Sequence, residues 1–595
     1  MTVAPERIET RLDAAIDAAT TRLLELQQPE GYWVGELESN ATMVAQHLFW
    51  HHVLGLRTPE LDRKIANELL ARQRDDGTWS IWFDGPPDLS TSIEAYAALK
   101  LAGVDPGPQA RDYIRSQGGI PRSRIFTKCF LALLGQWPWQ RIVPIPVELI
   151  LLPPSSPFSI YDFSCWARGT FVPLSVCRAL RPVRGAQIDL RDIGALPARS
   201  KPPTLSSLRR RAIAAAEAWV RAHQEADGSW GGIQPPWVWS ILMLVALGHG
   251  FEDETLRRAV EGWEGFTIDE GDRLRPEACQ SPVWDTALTI VALRDSGLGP
   301  EHPALVRAAE WLVKEEVTVR GDWAVRRPGL GPGGWAFEFE NDLYPDVDDT
   351  AVVALALRRC HRGHEAVDRG LAWTAGMQSR SGGWGAFDAD NEAFWLYRLP
   401  FCDFGKVTDE PSADVTAHAL EALAPEPGYD EHVRRGLEWL LAEQEADGSW
   451  FGRWGVNHVY GTAAAVPALE ACGVEPAHPA VRRAIAWLDR VQNDDGGFGE
   501  DIRSYAEPAW RGRGPSTPSQ TAWALLAYVA GGEAGSPSAA RAAEWLCFVQ
   551  RSNGDWEEAH YTGTGFPLDF MIRYHLYRLH FPLLALGRLR ERLSR

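Results

Sequence analysis

No two cysteines in the chain stand at the Cys-x-x-Cys spacing of a zinc or redox site, and no His/Cys cluster has metal-ligand spacing. The eight cysteines (129, 165, 177, 279, 360, 402, 472 and 547) are scattered, which suits a reducing compartment and gives no reason to expect a metal or other cofactor. No apolar run reaches the roughly 18–20 residues of a membrane-spanning helix. Residues 1–20 mix charge with alanine and lack the apolar core of a signal peptide. Positive charge is also short. A net charge of −19 over 595 residues argues against a nucleic-acid partner. These absences point to a cytoplasmic protein, with peripheral contact at the inner membrane face left open.

Tryptophan is what the chain has in excess, with 27 residues. Many fall in a repeat, Gln-x-x-x-Gly-x-Trp, at Gln27–Trp33, Gln73–Trp79, Gln224–Trp230, Gln378–Trp384, Gln444–Trp450 and Gln550–Trp556. Phe498 replaces the aromatic in Gln492–Phe498, and Gly321-Asp322-Trp323 reads as a degenerate copy. Several copies follow an amphipathic helix with a central aromatic, as at Trp219, Trp439 and Trp545. Helix, glycine turn and helix, repeated, define a repeat architecture of helical hairpins able to close into α/α barrels. In it the Gln bonds helix-end backbone groups and the Trp stacks beneath, so nearly all these residues serve the scaffold. The proline-broken apolar segment 143–154 reads as a loop or surface patch, and residues 182–206 as a linker.

One stretch exceeds scaffold needs. Asp346-Val347-Asp348-Asp349-Thr350 precedes an apolar run with helical spacing. Asp346 suits an N-cap, and Asp349 suits the returning partner of a capping box. Asp348 has no capping duty left. A third carboxyl in such a crowd is unfavourable unless it holds a proton, which marks Asp348 as a candidate proton donor.

The repeats together with Asp346–Thr350 resemble the squalene–hopene cyclase family of class II terpene cyclases. The blocks 231–237, 281–286, 400–404, 414–418, 452–456, 517–523 and 562–567 extend the resemblance over almost the whole chain. It implies an all-α fold of two α/α toroid barrels of α6–α6 type, one inserted in the other, with a large apolar cavity between them. Residues 1–15 plus 280–595 would form the catalytic barrel and 16–279 the inserted one. It also implies protonation-initiated cyclisation of a linear polyprenoid. Asp348 would donate the proton, His418 would stabilise the carboxylate left behind, and Tyr460 would help return a proton. Asp346 and Asp349 would hold the local geometry, with Asp285 and Asp414 nearby. The cation would run through a lining of Trp166, Trp284, Phe337, Trp384, Trp454, Phe566, Phe570, Tyr574 and Tyr577, whose ring faces stabilise positive charge without bonding to it.

This chain departs from the family pattern in ways that bear on substrate. Phe387 stands where hopene-forming members have a Tyr near the first-ring cation. Trp239 and Gln46 stand where the family has a Tyr and a Glu. With Gln234 and Glu94 they would map to the end of the cavity where the reaction stops. The stretch between Trp166 and Gln234 is short and carries no membrane-dipping helix, so weak or no membrane association is expected, with a homodimer an open assembly. Squalene giving a hopane-type product leads. A prenylated aromatic or a prenyl diphosphate stays open as substrate. A non-catalytic prenyl-binding barrel would have no use for the Asp348/His418 pair, and no Asp-Asp-x-x-Asp with a matching Mg²⁺ triad supports class I ionisation.

Overall fold

The computed structural model describes residues 5–197, 203–403 and 405–595, which are mostly helical. Residues 198–202 of the expected linker and Phe404 of the block 400–404 lie outside them.

Six helices close a ring in the C-terminal half: Pro282–Asp295, Val347–Arg359, Ala413–Leu423, His458–Ala471, Pro518–Ala530 and Tyr577–Leu593. Each packs on the next, and the last returns to the first. These helices are apolar around most of their circumference; in His458–Ala471 every residue from His458 to Leu469 is buried. An outer layer covers them: Pro303–Lys314, His364–Gly376, Asp430–Ala442, Pro479–Val491, Pro537–Val549 and Pro5–Glu25. Outer helices bury one stripe only, such as Ala480, Val481, Ala484, Ile485, Trp487 and Leu488 in Pro479–Val491. A second unit repeats the plan. Ala41–Leu54, Leu89–Leu101, Cys165–Leu180 and Gln234–Leu247 lie inside, with Pro59–Ala71, Pro108–Ser116, Ser207–Ala222 and Glu254–Gly262 outside.

The repeated motif works as a fastener. Gln27, Gln73, Gln224, Gln378, Gln444, Gln492 and Gln550 each donate through Nε2 to the carbonyl of the Gly four residues on and to a carbonyl in or beside an outer helix. Trp33, Trp79, Trp230, Trp384, Trp450 and Trp556 each donate Nε1–H to the carbonyl ten residues back, at the end of the preceding helix. Helix-end carbonyls without partners are thus satisfied by side chains that also fill the space beneath.

Two expectations need correction. Gly321-Asp322-Trp323 is not a fastener, since the Trp323 indole N–H has no protein partner. The eighth copy is Gly333-Gly334-Trp335, without a Gln, whose Trp335 donates to the Leu312 carbonyl at 2.6 Å. The junction expected after residue 15 falls too early. Ile16, Ala19, Leu23, Trp33 and Leu37 pack in the core that holds residues 278–589, whereas most buried residues from Ala41 to Phe266 form another core. Gln27 and Trp33 hold this segment there, Gln27 donating to the Ala304 carbonyl at 2.8 Å and the Trp33 N–H to the Thr286 hydroxyl at 2.9 Å. The all-α architecture carries a few short strands. Leu37–Glu38, Phe570–Tyr574 and Gly563–Phe566 form a small antiparallel sheet in which Leu37 pairs with Tyr574. Gly563 and Gly565 are required there, since a Cβ on either would strike the Tyr574 or Phe570 ring.

Trp384 is wholly buried among these fasteners and does not reach the cavity. Its replacement by Ala should lower stability by about 3–5 kcal/mol in denaturant melts. The product pattern of the surviving enzyme should stay unchanged, and an altered product ratio would restore it to the substrate wall.

Candidate active site

Helix Val347–Arg359 begins at the aspartate run because Asp346 caps it. One Asp346 carboxylate oxygen accepts the N–H groups of Asp348 at 2.6 Å and Asp349 at 3.0 Å. The reciprocal half of a capping box is absent. The Asp346 N–H is already given to the Trp335 carbonyl at 2.8 Å, so Asp349 has nothing to reach back to. Thr350 completes the turn by accepting the Trp335 N–H at 2.9 Å. Asp349 is instead directed at Asp346. Burial, then the Asp346 charge, pushes the Asp349 carboxyl well above the usual range; burial, then the Asp348 charge, does the same to Asp346. Like charges so close and so dry share a proton rather than ionise together.

Asp348 is left to the neighbouring helix of the ring, Ala413–Leu423. Its Oδ1 lies 2.5 Å from His418 Nδ1. Burial alone would discharge His418, but the Asp348 charge and the hydrogen bond outweigh it and push the imidazole up to about 9. His418 is therefore an imidazolium donating to one oxygen of Asp348. Asp348 also lies in the wall of a cavity with about 1180 Å³ of space free of atoms.

That wall is aromatic. Trp166 meets Phe387 at 5.8 Å, Trp454 at 5.7 Å and Phe566 at 6.1 Å between ring centroids, and Phe566 meets Phe570 at 5.8 Å. Tyr574 and Tyr577 stack at 4.2 Å, Phe337 stands edge-on to Tyr574 at 6.3 Å, and the Trp284 indole donates to the Tyr577 hydroxyl at 3.0 Å. Tyr460 joins the wall, its ring seated over Gly455, where an added Cβ would approach to 2.5 Å. Trp166, Ile233, Pro235, Phe566 and Phe570 continue into a second lobe of about 780 Å³. Gln234 and Trp239 line that lobe rather than the first. Within it Gln234 donates to Gln46 at 3.0 Å, and Gln46 and Thr127 donate to Glu94 at 2.8 and 2.5 Å. Burial pushes Glu94 up to about 7.

Most expected site residues therefore meet in one cavity; Gln234 and Trp239 line its second lobe, His418 stands behind Asp348, and Trp384 lines neither lobe. Asp285 and Asp414 hold backbone. Asp285 accepts the Gly35 N–H at 2.8 Å, and Asp414 accepts those of Arg453 at 2.8 Å and Trp454 at 2.7 Å. Sequence reasoning missed Asp409, a buried carboxylate that accepts the N–H groups of Ala386, Phe387 and Asp388 and so fixes Phe387 in the wall. A lone Asp before Glu-Pro gives no signal for that duty. It also missed Tyr344, Ile233 and Glu338 in the wall.

Two stacked helical rings around an aromatic cavity, with a carboxyl–imidazolium pair at the wall, define a class II terpene cyclase. Residues 280–591 match the squalene–hopene cyclase C-terminal domain, and residues 16–204 and 194–272 the N-terminal domain. The chain is 45% identical to a squalene–hopene cyclase of Alicyclobacillus acidocaldarius, over 98% of each chain. It is 40% identical to that of Bradyrhizobium diazoefficiens, over 98% of this chain and 95% of the other. It shares its fold with ent-copalyl diphosphate synthase from Streptomyces platensis (TM-score 0.55, 20% identity, 98% and 99% covered). The chain belongs to the squalene–hopene cyclase family.

The raised His418 gives a pH prediction. Its folded value of about 9 exceeds the unfolded 6.5, so its stabilisation is complete below pH 6.5 and is lost as pH rises through 9. Wild type should lose about 3 kcal/mol across that interval relative to His418→Gln. Parallel denaturation curves for the two proteins from pH 6 to 10 would contradict the ion pair.

Proposed function

We propose that the chain cyclises squalene to a hopane-type product, with Asp348 as the acid. The observation that carries this reading is the 2.5 Å contact between Asp348 and His418 at the wall of an aromatic cavity. In the reactive form the pair holds one proton more than the resting carboxylate–imidazolium pair, and that proton is carried by Asp348, which lines the cavity. When that O–H bond breaks, the proton goes to the terminal alkene of the folded substrate, and the carboxylate left behind is met by a cation already in place. Asp346 and Asp349, sharing a proton, hold the helix start without adding full charge to it. The aromatic wall then carries the cation at about 0.5–2 kcal/mol per ring face. Phe387 offers such a face without a hydroxyl. The polar chain Gln234–Gln46–Glu94 stands in the second lobe, where the last cation is quenched.

Of the substrates left open by the sequence, squalene is favoured by relatives named squalene–hopene cyclases at 40–45% identity. A prenyl diphosphate is disfavoured by charge. The ionisable groups at the main cavity are Asp346, Asp348, Asp349, Glu338 and His223, with no Lys or Arg among the described lining residues, and the Arg124 of the second lobe is already paired with Asp88 and Asp569. In this reading the C-terminal ring with the first helix supplies the acid and most of the aromatic wall. The second unit closes the cavity with Trp166 and Ile233.

Asp348→Asn should leave the fold intact and reduce turnover by at least about 10²–10⁴-fold. Mass spectrometry of products from squalene, geranylgeranyl diphosphate and a farnesylated phenolic acid should find product from squalene. An active Asn variant, or product from another substrate alone, would overturn the reading. No described helix is long and apolar enough to cross a membrane, and the described parts of 182–206 hold only the short turn Arg191–Ile193 before the helix that starts at Ser207. We therefore expect the protein to stay in solution without detergent, and complete partition into lipid vesicles would contradict this.

A further inference from the structure

We propose that Glu338 is a specificity-determining residue that fixes how many rings close. Held neutral in the wall of the main cavity, it lets an early cation pass; ionised, it would end the reaction on a partly cyclised skeleton. The inference rests on Asp348 being the acid and squalene the substrate. Glu338 is a buried carboxyl, 4% exposed, to which the cyclisation described above gives no task. It lines the main cavity, and the described lining of the second lobe does not include it.

Its neighbours give its place along the substrate path. The Trp335 carbonyl accepts the Asp346 N–H at 2.8 Å, so the run from Trp335 to Glu338 starts beside the aspartates. Phe337, next in the chain, stands edge-on to Tyr574 at 6.3 Å in the same wall. On the other side is Gly232, where an added Cβ would strike the Glu338 side chain. The residue after it, Ile233, belongs to both lobes. Glu338 therefore stands between the acid and the neck that leads to Gln46 and Glu94. No cation balances it. Its two oxygens share one donor, the Gln280 N–H, at 2.9 Å each, and no ion pair holds it among the described residues. The groups that face it are acidic: Asp227 from the Gly228 turn, and Glu277 and the Cys279 thiol from the segment that follows strand Leu274–Pro276. Asp346, Asp348, Asp349 and His223 line the same cavity. A carboxyl so dry and so unpaired keeps its proton instead of standing as a bare charge. Burial, and then Asp227 and Glu277, push Glu338 well above the usual carboxyl range. Burial lifts Glu277 itself only to about 7, so above that pH it is an anion beside Glu338.

The position decides the outcome. A cation that passes Glu338 has closed fewer rings than one that reaches the second lobe. If Glu338 is ionised, a C–H bond beside the cationic carbon breaks and its electron pair becomes a C=C bond. The proton forms an O–H bond on Glu338, matching the one given by Asp348. The product is an isomer of squalene with fewer rings. A neutral carboxyl has no such basicity, and the cation moves on to the next alkene.

The test reads the ratio of products, because titration of the Asp348–His418 pair changes how much product forms and not which. With squalene, the share of partly cyclised isomers from wild type should rise at least about threefold between about pH 7 and pH 9.5, and from Glu338→Gln it should stay level. Glu277→Gln removes the neighbouring anion and keeps an acceptor, and should bring the rise to lower pH. Infrared difference spectra of wild type against Glu338→Gln, taken without substrate, should show a protonated carboxyl at neutral pH that becomes a carboxylate as pH rises. A level ratio in wild type, the same rise in Glu338→Gln, or a carboxylate already present at neutral pH would overturn the role of Glu338. No product from squalene at any pH, with the infrared band present, would place the failure in the substrate reading and not in the protonation of Glu338.

Discussion

The contact between the carboxyl of Asp348 and the imidazolium of His418 sets the terms for the rest of the molecule. A carboxyl in water is a stronger acid than one in an apolar wall, because burial favours the neutral form. On the proposed reading, however, water would destroy the cation that Asp348 creates. The pair resolves the conflict by supplying, at 2.5 Å, the stabilisation of the conjugate base that water would have given. Adjacent helices of the ring must deliver the two residues to one point. That is why Asp348 sits in the first turn of Val347–Arg359 and His418 in the second turn of Ala413–Leu423.

Keeping the site dry and hollow has a structural cost. A ring of helices that faces an open cavity gives up packing on the side where a globular core would gain most. Stability must come from the outer face. The fasteners supply it there, each Gln satisfying two carbonyls and each Trp a third while burying its ring. The glycines of the motif are forced by closeness. At Gly448, with φ +103°, an added Cβ would come within 2.5 Å of the Arg483 carbonyl on the next outer helix.

The sequence exposed much of this because its strongest signals are local. The Gln/Trp repeat has a fixed spacing, and Asp346–Thr350 is one short run, so the scaffold and the aspartates of the cavity wall were both legible. What escaped depends on contacts between distant segments. Asp409 acts by collecting three N–H groups from Ala386–Asp388. The placement of residues 16–37 with the C-terminal core depends on Gln27 meeting Ala304 and Trp33 meeting Thr286. Trp384 was misplaced because a motif that fixes a ring's depth does not fix which wall it faces. Trp335 was missed because its copy lacks the Gln that advertises the others.

The two lobes of the cavity bear opposite demands. Near Asp348 a fixed cation must stand behind the acid. In the second lobe an ionised carboxylate would draw protons from early cations before the rings close. Glu94 meets that demand through burial, which lifts it to about 7 so that much of it is neutral, held by Thr127 and Gln46. Gln46 in place of a second carboxylate leaves Glu94 the one acidic group of the Gln234–Gln46–Glu94–Thr127 chain. Gln46 there removes a second group that could ionise, while burial keeps Glu94 raised without a like charge in that chain. On the proposed reading, this lobe is therefore tuned by the loss of a charge, just as the first is tuned by the addition of one.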